Sequence, residues 1–232
     1  MDLKAIDTLL AGCGLTLLGA FHPTHDDGVP GLENSAPETT SLVLVGNAGP
    51  AMWRAFNKHR RRESDPDPLD DWSRETIRTR AATLSKEFNL PVTALFPFDG
   101  PPYLPFQKWA QRTGNVHRSP LGPVVHHQYG LWHAYRGALL IPAKLALPPL
   151  TVMSSPCDTC ADKPCLAACP VHAFDGTAYN VPACVEHLAS GAGEDCFRLG
   201  CLARAACPVG TRYAYDEDQA RFHLGKFFAA HR

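Results

Sequence analysis

The 232-residue sequence has little net charge and no long apolar run, and both absences narrow its function. Charged residues make up 19% of the chain and sum to a formal charge of −1, so no global field attracts nucleic acid or an anionic membrane. No apolar stretch reaches the roughly 20 residues that cross a bilayer. The basic run at 58–63 is flanked by an acidic loop and is interpreted as a solvated helix end. We expect no nucleic-acid partner and no membrane partner.

The N-terminus lacks the basic segment and the long apolar core of a secretion signal, although LLAGC at 9–13 resembles a lipoprotein cleavage box. Apolar residues instead recur at helical spacing, at Leu3, Ile6, Leu9, Leu10 and Cys13. We therefore expect an amphipathic helix and a cytoplasmic protein. In that compartment, clustered cysteines bind metal or do redox chemistry more often than they form disulfides.

Common catalytic motifs are missing as well. The sequence contains no H-E-x-x-H, no Walker lysine and no Ser-His-Asp pattern, so hydrolysis by these routes has no support. No single residue is predicted to be catalytic.

Short apolar segments alternate with helical patterns over the first 150 residues, which favours an α/β or α+β sandwich. Strands are predicted at 15–21, 41–46, 90–98 and 137–142. Helices are predicted from near Pro50, over 72–89 with Asp71 or Ser73 as cap, and before Gly114. From Ser154 this periodicity fades and cysteine becomes the commonest landmark. We predict one domain over residues 1–150 and a second over 151–232.

Eight of the nine cysteines lie between residues 157 and 207. The segment CDTCADKPCLAACP at 157–170 is close to the C-x2-C-x2-C-x3-C-P pattern of bacterial 4Fe-4S proteins, in which the last cysteine ligates the other cluster. Its middle gap is two residues longer than in that pattern. Because Cys-Pro recurs at 207–208, the segment also indicates a weak internal repeat.

Eight thiols suffice for two 4Fe-4S clusters, and the crossed wiring of the bacterial pattern assigns them to two sets. The first set is Cys157, Cys160, Cys165 and Cys207, and the second is Cys169, Cys184, Cys196 and Cys201. A single cluster with spare thiols and structural zinc are the alternatives. Zinc does not account for the two Cys-Pro endings. Cys13 stands apart and is interpreted as a buried small hydrophobe.

The other dense stretch is HHQYGLWHAYRGALLIP at 126–142, which gathers histidines, aromatic residues and an arginine before an apolar strand. Such loops at strand ends commonly carry binding sites. The alternative is that the aromatic residues pack at the edge of the core and that the histidines lie on the surface.

This stretch resembles the corresponding segment of cobalamin-processing proteins of the cobalamin C type, which have a similar His, aromatic, Gly, Trp, Arg-Gly pattern running into an apolar strand. Followed by a cysteine module with two Cys-Pro endings, the chain also resembles epoxyqueuosine reductase and the reductive dehalogenases. The resemblance implies an α/β (α+β) fold, with a nitroreductase-like sandwich core that binds cobalamin and a C-terminal ferredoxin-like module with two 4Fe-4S clusters. The chain is shorter than the epoxyqueuosine enzymes and shows no obvious extra domain for transfer RNA.

The implied function is that of an iron-sulfur oxidoreductase that passes electrons to the cobalt of a corrinoid, for cobalamin reduction or removal of an upper ligand. The residues expected to line the corrinoid are His126, His127, Tyr129, Trp132, His133 and Arg136. The expected electron donor is a protein such as a flavodoxin or ferredoxin reductase. An electron carrier of the ferredoxin type without corrinoid and an FMN-dependent reductase are the alternatives.

Overall fold

A computed structural model of the chain describes residues 2–32, 39–59, 66–151 and 153–232, so most of the basic run at 58–63 lies outside the described residues. The chain divides into two compact units. The first comprises Met1–Asn115 with Ala134–Val152, and the second comprises Val116–His133 with Met153–Arg232. Residues 116–133, which the sequence analysis assigned to the first domain, join the second unit because their apolar side chains pack against the cysteine segment.

The strands are short and several were not evident in the sequence. They are β1 (Thr16–Phe21), β2 (Ser41–Ala48), β3 (Thr93–Leu95), β4 (Val116–Arg118), β5 (Val124–His126) and β6 (His133–Ile141). One sheet has the order β1-β2-β6-β3, and β4 pairs with β5 in a hairpin. The pairs β1–β2, β3–β6 and β4–β5 are antiparallel, which makes the fold α+β.

Helices surround these strands in both units. They are α1 (Leu3–Ala11), α2 (Ala51–His59), α3 (Pro68–Phe88), α4 (Phe106–Arg112), α5 (Pro164–Ala167), α6 (Val181–Ala189), α7 (Glu194–Leu199), α8 (Leu202–Ala205) and α9 (Glu217–His231). In the described part of the chain, no helix combines the length and the apolar character that crossing a membrane requires.

The elements of the first unit largely follow the predicted patterns. The N-terminal amphipathic helix is confirmed as α1, which buries Ile6 and Leu10. The strand predicted at 41–46 is confirmed as β2, whose first seven residues are buried. The predicted cap of α3 is wrong, because this helix begins at Pro68, whose fixed φ suits a first turn. Ser73 lies inside the helix instead, where its buried hydroxyl donates to the Leu69 carbonyl at 2.6 Å.

The second unit contains the internal repeat that the two Cys-Pro pairs indicated. Helices α5 and α8 are each a single turn, and the two pack against each other. A residue with positive φ precedes each of them, Lys163 at 38° and Cys201 at 81°. Each helix is then followed within two residues by Cys-Pro. The same chain path therefore occurs twice around the cysteines.

Candidate functional site

Six of the eight cysteines of the second unit lie in or against one apolar core. Cys165, Cys169 and Cys207 are buried there, and Cys157, Cys184 and Cys201 pack against it. The hairpin segment contributes Leu121, Val125 and Leu131 to the same core. All nine cysteines of the chain have free thiols. The fold thus brings thiols from distant parts of the sequence into one water-poor region.

The first predicted set takes Cys157 and Cys160 from the turn before α5, Cys165 from α5 itself, and Cys207 from the Cys-Pro pair after α8. The longer middle gap is accommodated by Lys163, whose ammonium donates to the carbonyl oxygens of Cys157 at 3.1 Å and Cys160 at 3.3 Å. Pro164 then begins α5, which contains Cys165. The hydrogen bonds of Lys163 therefore stabilise the loop that contains the two additional residues of this gap. Lys163 was not identified from the sequence, although its place beside Pro164 in the extended gap was visible.

Within this set the thiols are electrostatic neighbours. Burial raises the pKa of the Cys165 thiol, and Cys207 and Cys157 raise it further. Burial likewise raises the pKa of Cys207, with added repulsion from Cys157 and Cys160. Cys165 and Cys207 are 42 positions apart in the chain, so this proximity is a product of the fold. The structure brings these four thiols together.

The second predicted set behaves in the same way. Burial raises the pKa of Cys201 to about 11, and Cys196 and Cys184 add to the shift. Burial also raises the pKa of Cys196, with contributions from Cys184 and Cys169. In both sets, the thiols that act on each other belong to the same predicted group of four. The raised pKa values of Cys165, Cys196, Cys201 and Cys207 keep these thiols protonated at neutral pH, so a metal that bound them would displace protons.

Hydrogen-bond donors surround the sulfur atoms. The amide of Ala173 donates to Cys169 Sγ at 3.3 Å. Backbone amides also lower the pKa of Cys201 and of Cys207, in opposition to the larger effect of burial. The Tyr179 hydroxyl donates to Cys184, which lowers the pKa of that thiol against burial and raises that of the tyrosine. Donors of this kind stabilise thiolates and tune the potentials of iron-sulfur clusters.

This donor set fits iron-sulfur clusters. A zinc site requires its ligands to converge about 2.3 Å from one ion, whereas a 4Fe-4S cluster distributes four thiolates over its cube. In the part of the chain that the structure describes, no three histidine, cysteine, aspartate or glutamate side chains are arranged to hold a single ion. Each predicted set offers four thiols, which is the number of ligands that a 4Fe-4S cluster takes, so the chemistry of these residues is compatible with such a group.

Of the residues predicted to line a corrinoid, His126 and His133 form a buried pair in the second unit. Their rings lie 5.5 Å apart, and the side chains are 6% and 8% exposed. A tight turn holds them: His126 and Gly130 exchange two backbone hydrogen bonds of 2.8 Å, and His133 Nδ1 lies 3.1 Å from the Gly130 carbonyl oxygen. Burial lowers the pKa of His126 to about 4 and that of His133 to about 3. Both imidazoles are therefore neutral at pH 7.

The aromatic residues of this segment are engaged in packing. The Arg204 guanidinium lies 4.6 Å from the Trp132 ring centroid and 4.4 Å from that of Tyr215. Arg204 also donates to the Leu131 carbonyl oxygen through Nε at 2.9 Å. Tyr129 meets the Tyr213 ring edge-on at 4.9 Å. These contacts correspond to the alternative interpretation of the segment, in which the aromatic side chains support the core.

The two remaining predicted residues, His127 and Arg136, contact polar side chains. His127 is half-buried, and its Nε2 lies 3.0 Å from Nε2 of His117. Arg136 belongs to the first unit, where it lies 3.4 Å from Asn47 and 3.5 Å from the carboxylate of Asp70. The pairing of His117 with His127 depends on the β4–β5 hairpin, whose three-residue strands are too short for a periodic signal.

The histidine turn, residues 126–130, lies directly against the second Cys-Pro turn, residues 207–210. Gly130 and Gly210 both have positive φ, and a Cβ on Gly130 would overlap the Val209 carbonyl, while one on Gly210 would overlap the Tyr129 carbonyl. Only glycine allows the two backbones to approach this closely. The fold thereby connects the histidine segment with the chain that immediately follows Cys207.

No protein-family model matches the sequence, and no curated protein matches it by sequence. The fold matches solved structures. CblC from C. elegans, described as a B12-trafficking protein and homologue of human MMACHC, matches with a TM-score of 0.53 and 13% identity over 97% of this chain and 95% of that one. Epoxyqueuosine reductase from Streptococcus thermophilus matches with a TM-score of 0.51 and 15% identity over 91% of this chain and 67% of that one.

An epoxyqueuosine reductase crystallised with a modified tRNA stem loop matches with a TM-score of 0.50 and 15% identity, over 94% of this chain and 68% of the reductase. At these identities the comparisons show a shared fold. The chain has the fold of CblC and of about two thirds of the epoxyqueuosine reductases.

Proposed function

We propose that this protein is an iron-sulfur oxidoreductase that binds a corrinoid and delivers electrons to its cobalt, for cobalamin reduction or removal of an upper ligand. The observation that supports the proposal is that the cysteines whose pKa is raised by neighbouring thiols are raised by members of their own predicted group of four, and that six of the eight lie in or against one apolar core. The proposed architecture is a nitroreductase-like core with a ferredoxin-like module. The fold shared with a B12-trafficking protein and with a reductase supports this combination.

The cysteines would hold two 4Fe-4S clusters, which supply single electrons at low potential. The first cluster would be held by Cys157, Cys160, Cys165 and Cys207, and the second by Cys169, Cys184, Cys196 and Cys201. The protein excludes water from the buried sulfurs and directs amide and hydroxyl donors toward them. Lys163 fixes the loop of the first set through two carbonyl oxygens.

The neutral imidazoles of His126 and His133 are the strongest candidates for contact with the corrinoid. An unprotonated ring nitrogen can ligate a metal or accept a hydrogen bond from a side-chain amide. His126 Nδ1 already accepts the amide of Gln128 at 3.0 Å, which directs its other nitrogen away from that turn. The proposal also keeps Tyr129, Trp132, His127 and Arg136 as lining residues, a role that the packing of Arg204 on the Trp132 ring does not itself support.

The sequence predicted no nucleic-acid partner, and one structural comparison bears on this prediction. One structural relative was crystallised with a tRNA stem loop, so the comparisons lend no support to the expected absence of a nucleic-acid partner.

The test begins with anaerobic purification and the measurement of iron, acid-labile sulfide and the visible spectrum, followed by titration with cob(II)alamin under EPR. We expect about eight irons per chain, in line with two clusters of four, and a changed cobalt signal on binding. A preparation without iron would refute the cluster proposal. Iron without a change in the cobalt signal would favour the electron carrier of the ferredoxin type, and tight binding of FMN would favour the flavin reductase.

Single cysteine variants test the crossed ligand sets. Cys165→Ser and Cys207→Ser should remove the same EPR signal, while Cys201→Ser should remove the other. Cys13→Ser is the matched control and should retain both signals, because Cys13 lies in the first unit. Loss of different signals in Cys165→Ser and Cys207→Ser would contradict the crossed sets.

A further inference from the structure

A cleft of about 810 Å³ opens in the first unit between the C-terminal end of α1, α2 and α3. Its volume lies within the range of roughly 300–1,000 Å³ that is typical of small-molecule sites. None of the cysteines of the second unit and none of the six residues predicted to line a corrinoid borders it. The cleft is therefore distinct from the site proposed above.

The local sequence explains why the cleft is open. Its floor is formed by small residues, among them Gly12, Gly14, Ala51 and Ala55. Gly14 has a φ of +78°, and a Cβ there would lie 2.7 Å from the Ala51 carbonyl oxygen. A larger residue at position 14 would push α1 away from α2. The close approach of these helix ends thus requires glycine and leaves space beside it.

Charge and aromatic side chains line the rest of the cleft. The lining contains three basic residues, Arg54, Lys58 and Arg80, and two acidic residues, Asp71 and Glu75, so it carries a net charge of +1. The positive excess favours an anionic occupant.

Arg80 supplies the most specific signal in this cleft. Its Nε is buried and has no hydrogen-bond partner among the residues that the structure describes. A guanidinium stays charged at all accessible pH values, and it matches carboxylate and phosphate groups in two-point hydrogen bonds. A buried donor without an acceptor is costly, so an acceptor from outside the chain would stabilise this arrangement.

Two aromatic side chains line the cleft beside this donor. Trp72 and Phe56 line the cleft, with ring centroids 6.0 Å apart and an edge-on angle of 75°. Trp72 is only partly buried, so part of its indole is available for contact. Trp72 and Arg80 are eight residues apart on α3, and both line the cleft.

We propose that this cleft is a second binding site, which takes a small planar anion consisting of an aromatic ring with one carboxylate or phosphate group. The acidic group binds Arg80 and the ring packs on Trp72. Cys13 also lines the cleft, so an occupant should change the reactivity of its thiol, and because Cys13 lies outside the cysteine module this change can be measured separately.

The experiment uses the purified, iron-loaded protein and 8-anilinonaphthalene-1-sulfonate as a fluorescent probe. We expect saturable one-to-one binding, with 1-naphthoate and AMP as competitors that separate a preference for carboxylate from one for phosphate. Arg80→Gln should weaken probe binding tenfold or more, as loss of a hydrogen bond to a charged group implies. Arg78→Gln, on the same helix but outside the cleft, is the control with the same charge change and should stay within twofold of wild type.

A second measurement does not depend on any variant. The rate at which iodoacetamide alkylates Cys13, followed by peptide mass spectrometry, should fall at least fivefold at a saturating concentration of the stronger competitor. Equal probe affinity in Arg80→Gln and Arg78→Gln would overturn the proposal. It would also be overturned by an alkylation rate of Cys13 that the competitors leave unchanged.

Discussion

At the scale of single residues, the buried imidazoles of His126 and His133 are the most informative groups after the cysteines. Both remain neutral in the folded protein far below the ordinary histidine pKa of 6.5, because burial penalises the charged ring. In the unfolded chain the same rings take up protons as soon as the pH falls below about 6.5. Folding stability must therefore decrease on acidification.

The sign follows from proton linkage, since stability rises with pH wherever the unfolded state binds more protons. As the pH falls from 6.5 to 5, each of the two histidines should lower the free energy of unfolding by roughly 2 kcal/mol. The loss levels off below about pH 4 for His126 and about pH 3 for His133. In urea denaturation, the free energy of unfolding of His133→Gln should decrease less between pH 7 and pH 5 than that of the wild type. His25→Gln, at an exposed position, should reproduce the wild-type loss, and equal losses in all three proteins would refute this explanation.

At the scale of elements, the contact between the histidine turn and the second Cys-Pro turn depends on Gly130. Gly130→Ala should lower the free energy of unfolding by about 3 kcal/mol or more, because it adds strain at positive φ and an overlap with the Val209 carbonyl. Gly122→Ala is the matched control, with a φ of +96° and nothing within 4 Å of an added Cβ. It should cost about 1–2 kcal/mol.

Urea midpoints under identical conditions measure both glycine variants, and iron content shows whether the damage reaches the cysteines. We expect Gly130→Ala to retain less iron than Gly122→Ala, since Val209 follows Cys207 by two residues. Equal stability and equal iron in the two variants would show that the turn contact is not needed for the cysteine core.

At the scale of the whole molecule, the second unit is assembled from two separate stretches of chain, Val116–His133 and Met153–Arg232. The first stretch covers the cysteine core with Leu121, Val125 and Leu131. A fragment of residues 153–232 should therefore bind clearly less iron on anaerobic reconstitution than the full chain. Joining residues 116–133 to it through a flexible Gly/Ser linker should restore much of the difference. A bare 153–232 fragment with the full iron content would contradict this composition of the unit.

Local patterns in the sequence were sufficient for part of this description. The apolar run of β2 and the helical spacing of α1 are local signals, and both elements formed where they were predicted. The spacing of Cys157, Cys160 and Cys165 and the repeated Cys-Pro are likewise local signals, and they remain the basis of the predicted cluster-binding module. The second Cys-Pro also matched a real repeat of chain path around α5 and α8.

Contacts between distant residues could be decided only by the tertiary structure. The β4–β5 hairpin, the pairing of His117 with His127, and the assignment of residues 116–133 to the second unit all depend on side chains that meet far from each other in sequence. The same holds for the neutral state of His126 and His133 and for the cleft beside Arg80, since burial and open volume are properties of the packed chain. The sequence by itself determined where the cysteines are concentrated and where several regular elements form, because those signals are local. The tertiary structure decided which thiols become neighbours and which polar groups lose water, because both require the chain to close on itself.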